Sequence, residues 1–352
     1  GAYFTSEYSI ASAALFNPSI VAHPNQDGVG KGAVRFLLSL RATGEGHLSS
    51  IIFGGGVIND SGWITFDPPP RYAESAKPIP DKLYDKPLFI RKLQEMGCEL
   101  EPAWGVLDNL SERFTFADMN REIEALAPEH GRPQQFEQIA GDMRWLAQAN
   151  YDLHFSPDCN PSEVVIFPAT EHESHGMEDL RLVRFCDDDG CYRYYGTYTA
   201  YNGLRTWPMM LETEDFRHFH VTTLNGRYAL NKGMALFPRK VNGDYLMVAR
   251  HDAENLFLMR SDDPHFWNES KLLQTPVEPW ELVHIGNCGS PVETERGWIL
   301  LTHGVGPVRE YCIGAMLLDL DDPEKVIGRL RDPLIAPTAD EREGYVPNVV
   351  YS

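Results

Sequence analysis

Short β-rich runs separated by turn residues recur along most of the chain. The runs Val34–Arg41 and His47–Phe53 flank a glycine-containing turn at 42–46. Three further pairs of runs share this layout: Leu180–Cys186 with Tyr192–Tyr201, Met234–Val241 with Asp244–Arg250, and Cys288–Glu293 with Trp298–His303. Asp-Gly or Asn-Gly between such runs is a strong hairpin signal. The pattern predicts an all-β sandwich, barrel or propeller, and we favour a propeller.

One stretch, from about Pro80 to Asn150, has helical instead of strand periodicity. Its apolar residues recur at spacings of three and four, which place them on single faces of amphipathic helices. The three predicted faces are Leu83, Leu88, Ile90 and Leu93; Phe116, Met119, Ile123 and Leu126; and Phe136, Ile139, Met143 and Leu146. Thr115 and Asp118 form a plausible helix cap. We interpret the stretch as a helical insertion, used for packing or a dimer contact, or as a lid over the substrate site.

Composition and charge narrow the function classes. A chain of 352 residues with 43% hydrophobic residues is typical of a folded globular protein. A net charge of −20 argues against nucleic acid as a partner, because phosphate backbones require clustered Lys and Arg. No run of about 18 apolar residues predicts a membrane helix. No signal segment is visible at Gly1–Ser12, although a processed N-terminus would hide one.

The six cysteines lack the spacing of metal ligands, so we expect no metal site. Cys186 and Cys191 flank a turn and could face each other across a hairpin. Scattered cysteines in a chain of this size are more often reduced thiols than a disulfide framework. We therefore predict a cytoplasmic protein. The sequence leaves open whether copies of the chain form a homo-oligomer.

The densest polar cluster is Glu171–Arg181, between two predicted strands. Such a loop is either a site or simply solvated. If the segment is extended, Glu178 and Asp179 point to opposite faces, so only one of them can face a given pocket. The other would pair with Arg181 or a nearby cation. A carboxylic acid in such a cluster can have its pKa raised by burial or by neighbouring negative charge.

Basic residues stand at the ends of several predicted strands. These residues are Lys232, Arg250, His284 and His303. Successive hairpins could aim them at one spot, although each residue taken alone is better explained as a surface or salt-bridge residue. The aromatic residues Tyr198, Tyr201, Trp207 and Trp280 lie near the same hairpins, where they either stack on sugar rings or pack in the core.

Several motifs in a fixed order resemble the β-mannoside phosphorylases and related β-mannosidases of glycoside hydrolase family 130. The motifs are Phe16-Asn17-Pro18-Ser19, Leu40-Arg41, Gly176-Met177-Glu178-Asp179-Leu180-Arg181, Tyr198-Thr199-Ala200-Tyr201, Asn231-Lys232, Leu236-Phe237-Pro238, His303-Gly304-Val305, Gly314–Leu320 and Gly344–Val350. The resemblance covers most of the chain outside the helical stretch.

The resemblance implies one five-bladed β-propeller domain over residues 1–352, with the helical insertion at about 80–150. It implies an inverting phosphorylase that converts a β-mannoside oligosaccharide and inorganic phosphate into α-mannose 1-phosphate, with no cofactor. Asp179 would be the proton donor. Residues implied to bind the sugar are Asn17, Arg41, Glu178, Arg181, Tyr198, Tyr201 and Asn348. Residues implied to bind phosphate are Lys232, Arg250, His284 and His303.

Two positions depart from the pattern of the phosphorylases. Lys232 stands where they tend to carry Arg, and His284 where they carry Lys. Lys lacks the bidentate fork of Arg, and His is only partly charged near neutrality. The alternatives are therefore an inverting β-mannosidase, with Glu281 or Glu310 activating water, and a non-catalytic sugar-binding propeller. Four basic groups around one spot in an acidic chain favour phosphorolysis.

Overall fold

The computed structural model describes residues 14–44, 48–79, 83–126, 134–342 and 346–351, and these residues are mostly β-strand. The first sheet has the order β1-β2-β3-β10-β5, with β4 also paired to β3. Its strands are β1 (Ala14–Ala22), β2 (Val34–Thr43), β3 (Ser49–Ile58), β4 (Ile64–Phe66), β5 (Glu74–Ser75) and β10 (Val164–Ile166). The predicted strand at Val34 is confirmed, whereas His47 lies outside the described residues.

The second sheet has the order β11-β12-β13-β14-β9-β6. Its strands are β6 (Pro78–Ile79), β9 (Tyr151–His154), β11 (Met177–Cys186), β12 (Tyr192–Tyr201), β13 (Thr206–Thr213) and β14 (His218–Thr223). The predicted hairpin around the Asp-Gly turn is present as β11 and β12. Cys186 pairs with Tyr192 and not with Cys191, and all six cysteines are free thiols, as predicted.

The third and fourth sheets are built mainly from hairpins that follow one another along the chain. The third contains β15 (Lys232–Leu236), β16 (Tyr245–Arg250), β17 (Leu256–Ser261) and β18 (Glu269–Gln274), in that order. The fourth has the order β19-β21-β22-β23, with β20 paired to β21. Its strands are β19 (His284–Asn287), β20 (Val292–Thr294), β21 (Gly297–Val305), β22 (Tyr311–Leu318) and β23 (Val326–Arg329).

The single strand predicted at Cys288–Glu293 is wrong. The chain instead forms β19 before this segment and β20 at its end. Gly289 has φ of 139°, outside the strand region, and Pro291 has no N–H to donate to a ladder. These two residues together interrupt the strand.

Successive sheets pack face to face through apolar clusters. Phe53 of the first sheet packs on Phe219 of the second, Phe185 of the second on Tyr245 of the third, and Phe237 beside the third on Trp298 of the fourth. The first strands of the four sheets, β1, β11, β15 and β19, lie next to one another in that order. This propeller-like arrangement brings the ends of four strands to a common centre.

In its described residues, 83–126 and 134–150, the helical insertion has four α-helices and its own apolar cluster. They are α1 (Lys86–Glu95), α2 (Trp104–Asn109), α3 (Phe116–Ala125) and α4 (Gln134–Gln148), with the short ladder of β7 (Tyr84–Asp85) and β8 (Arg113–Phe114) beside them. The predicted cap is confirmed: the Thr115 hydroxyl accepts from the Asp118 N–H at 3.1 Å, and the Asp118 carboxylate accepts from the Thr115 N–H at 3.0 Å.

The predicted apolar faces are confirmed for α4 and only in part for α1, where Leu93 is buried. Phe136, Ile139, Met143 and Leu146 of α4 are all buried. In α1, Leu88 is exposed, and the buried residues are Phe89, Lys92 and Leu93. The Lys92 ammonium reaches the second sheet, where it donates to the Leu224 carbonyl at 2.8 Å. This tertiary contact rotates the helix away from the face that its apolar spacing indicates.

Candidate active site

A pocket of about 660 Å³ lies where the first strands of the four sheets meet. Each sheet contributes polar side chains from its first strand or from the adjoining end of the second. The polar lining residues are Asn17, Arg41, Thr43, Glu178, Asp179, Lys232, Arg250, His284, His303, Arg309, Tyr311 and Tyr351. All four residues predicted to bind phosphate are therefore brought together with the predicted proton donor.

Irregular pairing in three of the first strands aims side chains into the pocket. The register shifts between Phe16 and Ser19, between Glu178 and Arg181, and between Lys232 and Ala235. At the second shift Asp179 has φ of 56°, in the left-handed region that non-glycine residues rarely adopt. Bulges of this kind often lie beside active sites, where they redirect a side chain.

The bulge corrects the prediction that only one of the two adjacent carboxylates can face a pocket. Glu178 and Asp179 both line the same pocket, because the left-handed backbone of Asp179 breaks the alternation of an extended strand. Strand alternation holds for regular pairing, and no residue type in this segment indicates the bulge.

Glu178 is held between two cations. Its carboxylate accepts from the Arg41 guanidinium at 3.0 Å and from the Lys232 ammonium at 2.7 Å. Burial alone would raise the pKa of Glu178, but the charges and hydrogen bonds of Arg41 and Lys232 outweigh burial and lower it. Glu178 is therefore ionised and positions two basic side chains, so it is not suited to donate a proton.

Asp179 has weaker partners than Glu178. The Arg41 guanidinium lies 3.8 Å from its carboxylate, and the Tyr351 hydroxyl donates to it at 3.3 Å. The Tyr351 hydroxyl also accepts from Arg181 at 3.0 Å. Burial and the charge of Asp179 raise the pKa of Tyr351, so this hydroxyl stays protonated. Asp179 thus keeps part of its carboxyl available to a ligand.

The four residues predicted to bind phosphate do not all carry a positive charge, because the two histidines are neutral near pH 7. Burial, together with the charge of Arg250, lowers the pKa of His284 to about 4. Burial and the charges of Arg181 and Arg250 lower the pKa of His303 well below its ordinary value. Both imidazoles are neutral near pH 7, and the Nδ1 of His303 lies 3.0 Å from the Asn287 carbonyl oxygen, which only accepts. The His303 Nδ1 is therefore the protonated nitrogen, and its Nε2 is left for a ligand.

Arg250 carries an incomplete set of hydrogen bonds. Its Nη1 donates to the Ala253 carbonyl at 3.1 Å, and its buried Nε has no partner among the described residues. Burial lowers the pKa of Arg250 from its usual value without discharging it. A buried guanidinium with unused donor capacity is suited to an oxyanion.

Arg309 also lines this pocket and was missed in the sequence. It follows Val308 in a turn where both residues have positive φ, 57° and 58°. Two consecutive non-glycine residues in this region form a strained turn that presents the arginine. Only its position after Gly306-Pro307, just before a strand, could have indicated it.

Four of the residues predicted to bind sugar are not brought to the pocket wall. Tyr198 is buried, and its hydroxyl donates to Glu173 at 2.6 Å. The Tyr201 hydroxyl donates to the Gly203 carbonyl at 2.9 Å. Arg181 is buried behind Tyr351, and Asn348 uses its backbone carbonyl to accept from Tyr311 at 2.9 Å. Internal hydrogen bonds thus account for residues that a motif alone would assign to substrate.

The two carboxylates considered for water activation also lie elsewhere. Glu281 is fully buried and accepts from Arg329 at 2.5 Å and from the Val277 N–H at 2.8 Å. Glu310 does not line the pocket. Trp280 packs against Gly304 and Gly314, in a structural role. Among the described residues that line the pocket, the carboxylates are Glu178 and Asp179.

Two further searches bear on partners. Within the described ranges, no three His, Cys, Asp or Glu side chains are grouped as a metal site would require. None of the helices in the described part of the chain is long and apolar enough to cross a membrane.

The sheets bring two carboxylates and several basic groups into one cavity, as in the active site of an enzyme, and comparison with known proteins gives the family. Residues 158–352 match the model of glycoside hydrolase family 130, described as β-1,4-mannooligosaccharide phosphorylase. Because the match covers more than half of the chain, the protein belongs to this family. The resemblance found in the sequence motifs is thereby confirmed.

Individual relatives are also phosphorylases by name. The chain is 36% identical over 194 residues to a 1,2-β-oligomannan phosphorylase of Thermoanaerobacter sp. strain X514, covering 52% of this chain and 61% of that protein. It is 32% identical over 225 residues to a β-1,4-mannooligosaccharide phosphorylase of Ruminococcus albus, covering 57% and 65%. The chain thus spans about three-fifths of the length of the curated relatives that it matches.

Solved structures show that the fold extends over the whole chain. The β-1,2-mannobiose phosphorylase of Listeria innocua, in complex with β-1,2-mannobiose, aligns with 99% of this chain and 84% of its own, at a TM-score of 0.50 and 19% identity. A glycoside hydrolase of family 130 that targets β-1,2-mannosidic linkages aligns with 98% and 78%, at a TM-score of 0.54 and 16% identity. At these identities the likeness establishes the fold alone.

Proposed function

We propose that the protein is an inverting glycoside phosphorylase that acts on β-mannosides. It would take a β-mannosyl sugar and inorganic phosphate and release α-mannose 1-phosphate and the shortened sugar. The observation that carries the proposal is one pocket that joins Asp179 to Lys232, Arg250, His284 and His303. The names of the relatives support β-mannosides as the substrate class.

In the reaction, Asp179 donates its proton to the bridging oxygen, directly or through a sugar hydroxyl. The bond from the anomeric carbon to that oxygen breaks, and the leaving sugar departs as an alcohol. A phosphate oxygen forms the new bond to the anomeric carbon from the opposite face, so the configuration inverts. Asn17, Arg41 and Glu178 border the same pocket and would hold the mannosyl unit.

Phosphate is the anion that this pocket fits best. Lys232 and Arg250 supply fixed charge, and Arg309 adds a third cation at the wall. A neutral His303 with its proton on Nδ1 accepts at Nε2, so it can accept a hydrogen bond from a protonated phosphate oxygen. In a chain of net charge −20, retaining this basic group is costly unless an anion binds there. No cofactor has a role in this scheme.

Hydrolysis is less well supported by the geometry. An inverting hydrolase requires a second carboxylate as base, roughly 6.5–9.5 Å from the acid. Glu281 and Glu310 were the candidates, and neither lines the pocket. Glu178 does, but it is bound by two cations on the side of the proton donor. The phosphorylase therefore remains our proposal over the mannosidase.

The fold proposal is a single catalytic domain shaped as a five-bladed propeller. The four sheets would be four blades, because each packs on the next and their first strands converge. Ile335 and Val349, which follow the fourth sheet in the chain and bridge to Ile313 and Tyr311 of β22, would belong to a fifth blade. The helical insertion of α1 to α4 would be carried on the second blade, through β6 and β9.

The test is incubation of the protein with β-1,2- and β-1,4-mannobiose, with and without phosphate. We expect α-mannose 1-phosphate, detected by ³¹P NMR, only when phosphate is present. Release of free mannose without phosphate would instead establish the mannosidase. If neither product forms and Asp179→Asn binds mannobiose as well as the parent, the protein is a sugar-binding module.

A further inference from the structure

A second and larger cavity, of about 1050 Å³, lies between the helical insertion and the second sheet. One wall is α4, and the other is the turn between β12 and β13 with the first residues of β13. The polar and aromatic side chains that characterise it are Gln135, Gln138, Gln148, Asn202, Trp145 and Trp207. None of these six lines the central pocket.

The chemistry of this groove differs from that of the pocket. Side-chain amides both donate and accept hydrogen bonds without net charge. Indoles offer a flat apolar face and one N–H donor. The charged residues at the wall are mixed in sign, with Glu99, Asp142 and Glu171 beside Arg144 and Arg205. Amides and indoles together are suited to a neutral, polyhydroxylated ligand, namely a chain of sugar rings.

The two indoles form a preassembled aromatic wall. The rings of Trp145 and Trp207 lie 4.4 Å apart, and the His172 ring lies 3.5 Å from Trp145. His172 is 1% exposed, and neither of its ring nitrogens has a partner among the described residues. The buried Nε1 of Trp207 also lacks one there. Unpaired buried polar groups cost stability, so their concentration behind one wall indicates a function other than folding.

The groove lies within reach of the proton donor. Met177 of β11 pairs with Ala200 of β12, which pairs with Trp207 of β13. Two strand spacings separate the Met177 and Trp207 positions, about 10 Å. An oligosaccharide cleaved in the pocket can therefore extend toward the groove.

We propose that this groove binds the sugar units of a neutral oligosaccharide that lie beyond the first sugar after the scissile bond, so that the protein prefers chains longer than a disaccharide. The inference rests on the proposed function for the cleavage itself. It adds a site that the family match does not supply, because that match begins at residue 158, after α4.

Gly141 provides a sharp test. It lies in α4 at the groove wall, and a Cβ placed there meets nothing within 4 Å. Gly141→Phe should therefore fill the groove without disturbing the helix. Gly141→Ala is the matched control, since it adds a methyl group and leaves the groove open. Melting temperatures of both variants check that the fold is retained.

The measurement is kcat/KM with phosphate, for β-mannobiose and for the β-mannotetraose of the same linkage. We expect the parent to prefer the tetraose. Gly141→Phe should lower kcat/KM for the tetraose by about three- to tenfold, the size of one lost aromatic contact, and leave the biose unchanged. Equal rates for both substrates in the parent, or equal losses in the variant, would overturn the proposal.

A binding measurement without turnover tests the groove independently of the proposed phosphorylase activity. Titration of Asp179→Asn with β-1,2- and β-1,4-mannotetraose, followed by tryptophan fluorescence, should show saturable binding that Gly141→Phe weakens. If no β-mannoside is turned over but this binding is present, the proposed function fails and the groove remains. If turnover occurs and fluorescence titration shows no effect of Gly141→Phe, the groove proposal alone fails.

Discussion

The central pocket and the helical groove are two cavities of one chain with opposite chemistry. The pocket collects Arg41, Lys232 and Arg250 around two carboxylates, and it is built from the ends of strands in all four sheets. The groove has amides and indoles, and it lies between one helix and one strand turn. Charge concentrated at a fixed centre is suited to bond cleavage and anion binding, whereas neutral polar surface is suited to holding a sugar chain.

The two cavities also differ in what positions their side chains: backbone irregularities in the pocket, and ring packing in the groove. In the pocket, bulges at Asp179 and at the start of β15 direct side chains to the centre. At the groove, Trp145 is held by ring contacts with Trp207 and with the buried His172 behind it, whose nitrogens receive no hydrogen bond from the described residues. Substitutions in the pocket should therefore change chemistry, and substitutions in the helical insertion should change stability or substrate length.

The largest expected effect is that of Asp179→Asn. Asparagine keeps the shape but cannot donate the proton, so kcat for phosphorolysis of β-mannobiose should fall by about 10²–10⁴-fold. The melting temperature should change little. The exposed Asp188→Asn is the matched control and should retain full activity. Activity above a tenth of the parent in Asp179→Asn would remove Asp179 from the role of acid.

The next effect concerns the phosphate side. Lys232→Ala should raise KM for phosphate by about 10- to 100-fold, because a hydrogen bond to a charged group contributes about 1.5–3 kcal/mol. Lys240→Ala is the control, since Lys240 pairs with Asp187 and Asp188 at the surface. Phosphate titration at saturating mannobiose measures both. An unchanged KM in Lys232→Ala would show that phosphate binds elsewhere.

A smaller effect, of a few-fold, is expected at His284. Its pKa is about 4 in the ligand-free protein because of burial and Arg250, so it is neutral at pH 7. Bound phosphate favours the imidazolium and raises this pKa, so binding takes up a proton and weakens as pH rises from about 4 toward neutrality. His284→Lys should lower KM for phosphate and flatten its rise across this range.

Phosphate itself titrates in this pH range and affects the parent and His284→Lys alike, so the two proteins are compared at each pH. KM for phosphate measured at each pH in both proteins gives the difference due to residue 284. Parallel pH profiles would contradict a role for the His284 imidazole in binding the anion.

The smallest effect falls in the helical insertion. Thr115→Ala removes the N-terminal cap of α3 and should cost about 1 kcal/mol, or roughly 1–2 °C in melting temperature for a chain of this length. Phosphorolysis of β-mannobiose should be unchanged. Thr275→Ala, at an exposed threonine outside the helices, is the control. A loss of activity in Thr115→Ala would show that the insertion also shapes the central pocket.

Much of the pocket could be predicted from the sequence because its residues stand at the ends of strands in successive hairpins. Lys232 and Arg250 are paired across one hairpin, and His284 and His303 belong to neighbouring strands of the next sheet. Hairpin turns fix such local pairings, and the family motifs indicated a common centre. Arg309 and Tyr351 could not be found in this way, because they come from a strained turn and from a distant segment.

The predicted orientations and roles of side chains were wrong where an irregular strand or a contact between distant segments determined them. The bulge at Asp179 turned both acidic side chains into one pocket. The Tyr198 hydroxyl donates a hydrogen bond to Glu173, and the Lys92 ammonium donates one to the Leu224 carbonyl, far away in the sequence. None of these contacts has a signature in local composition or periodicity.

The sequence by itself determined the elements and the inventory of chemistry: hairpins from turn residues, helices from apolar spacing, and the acidic and basic groups of the site. These depend on interactions over a few residues. Only the tertiary structure decided which side chains share a cavity, which are consumed by internal hydrogen bonds, and which imidazoles are neutral. Those properties depend on burial and on charges brought close by the packing of separate sheets, which no local stretch of sequence specifies.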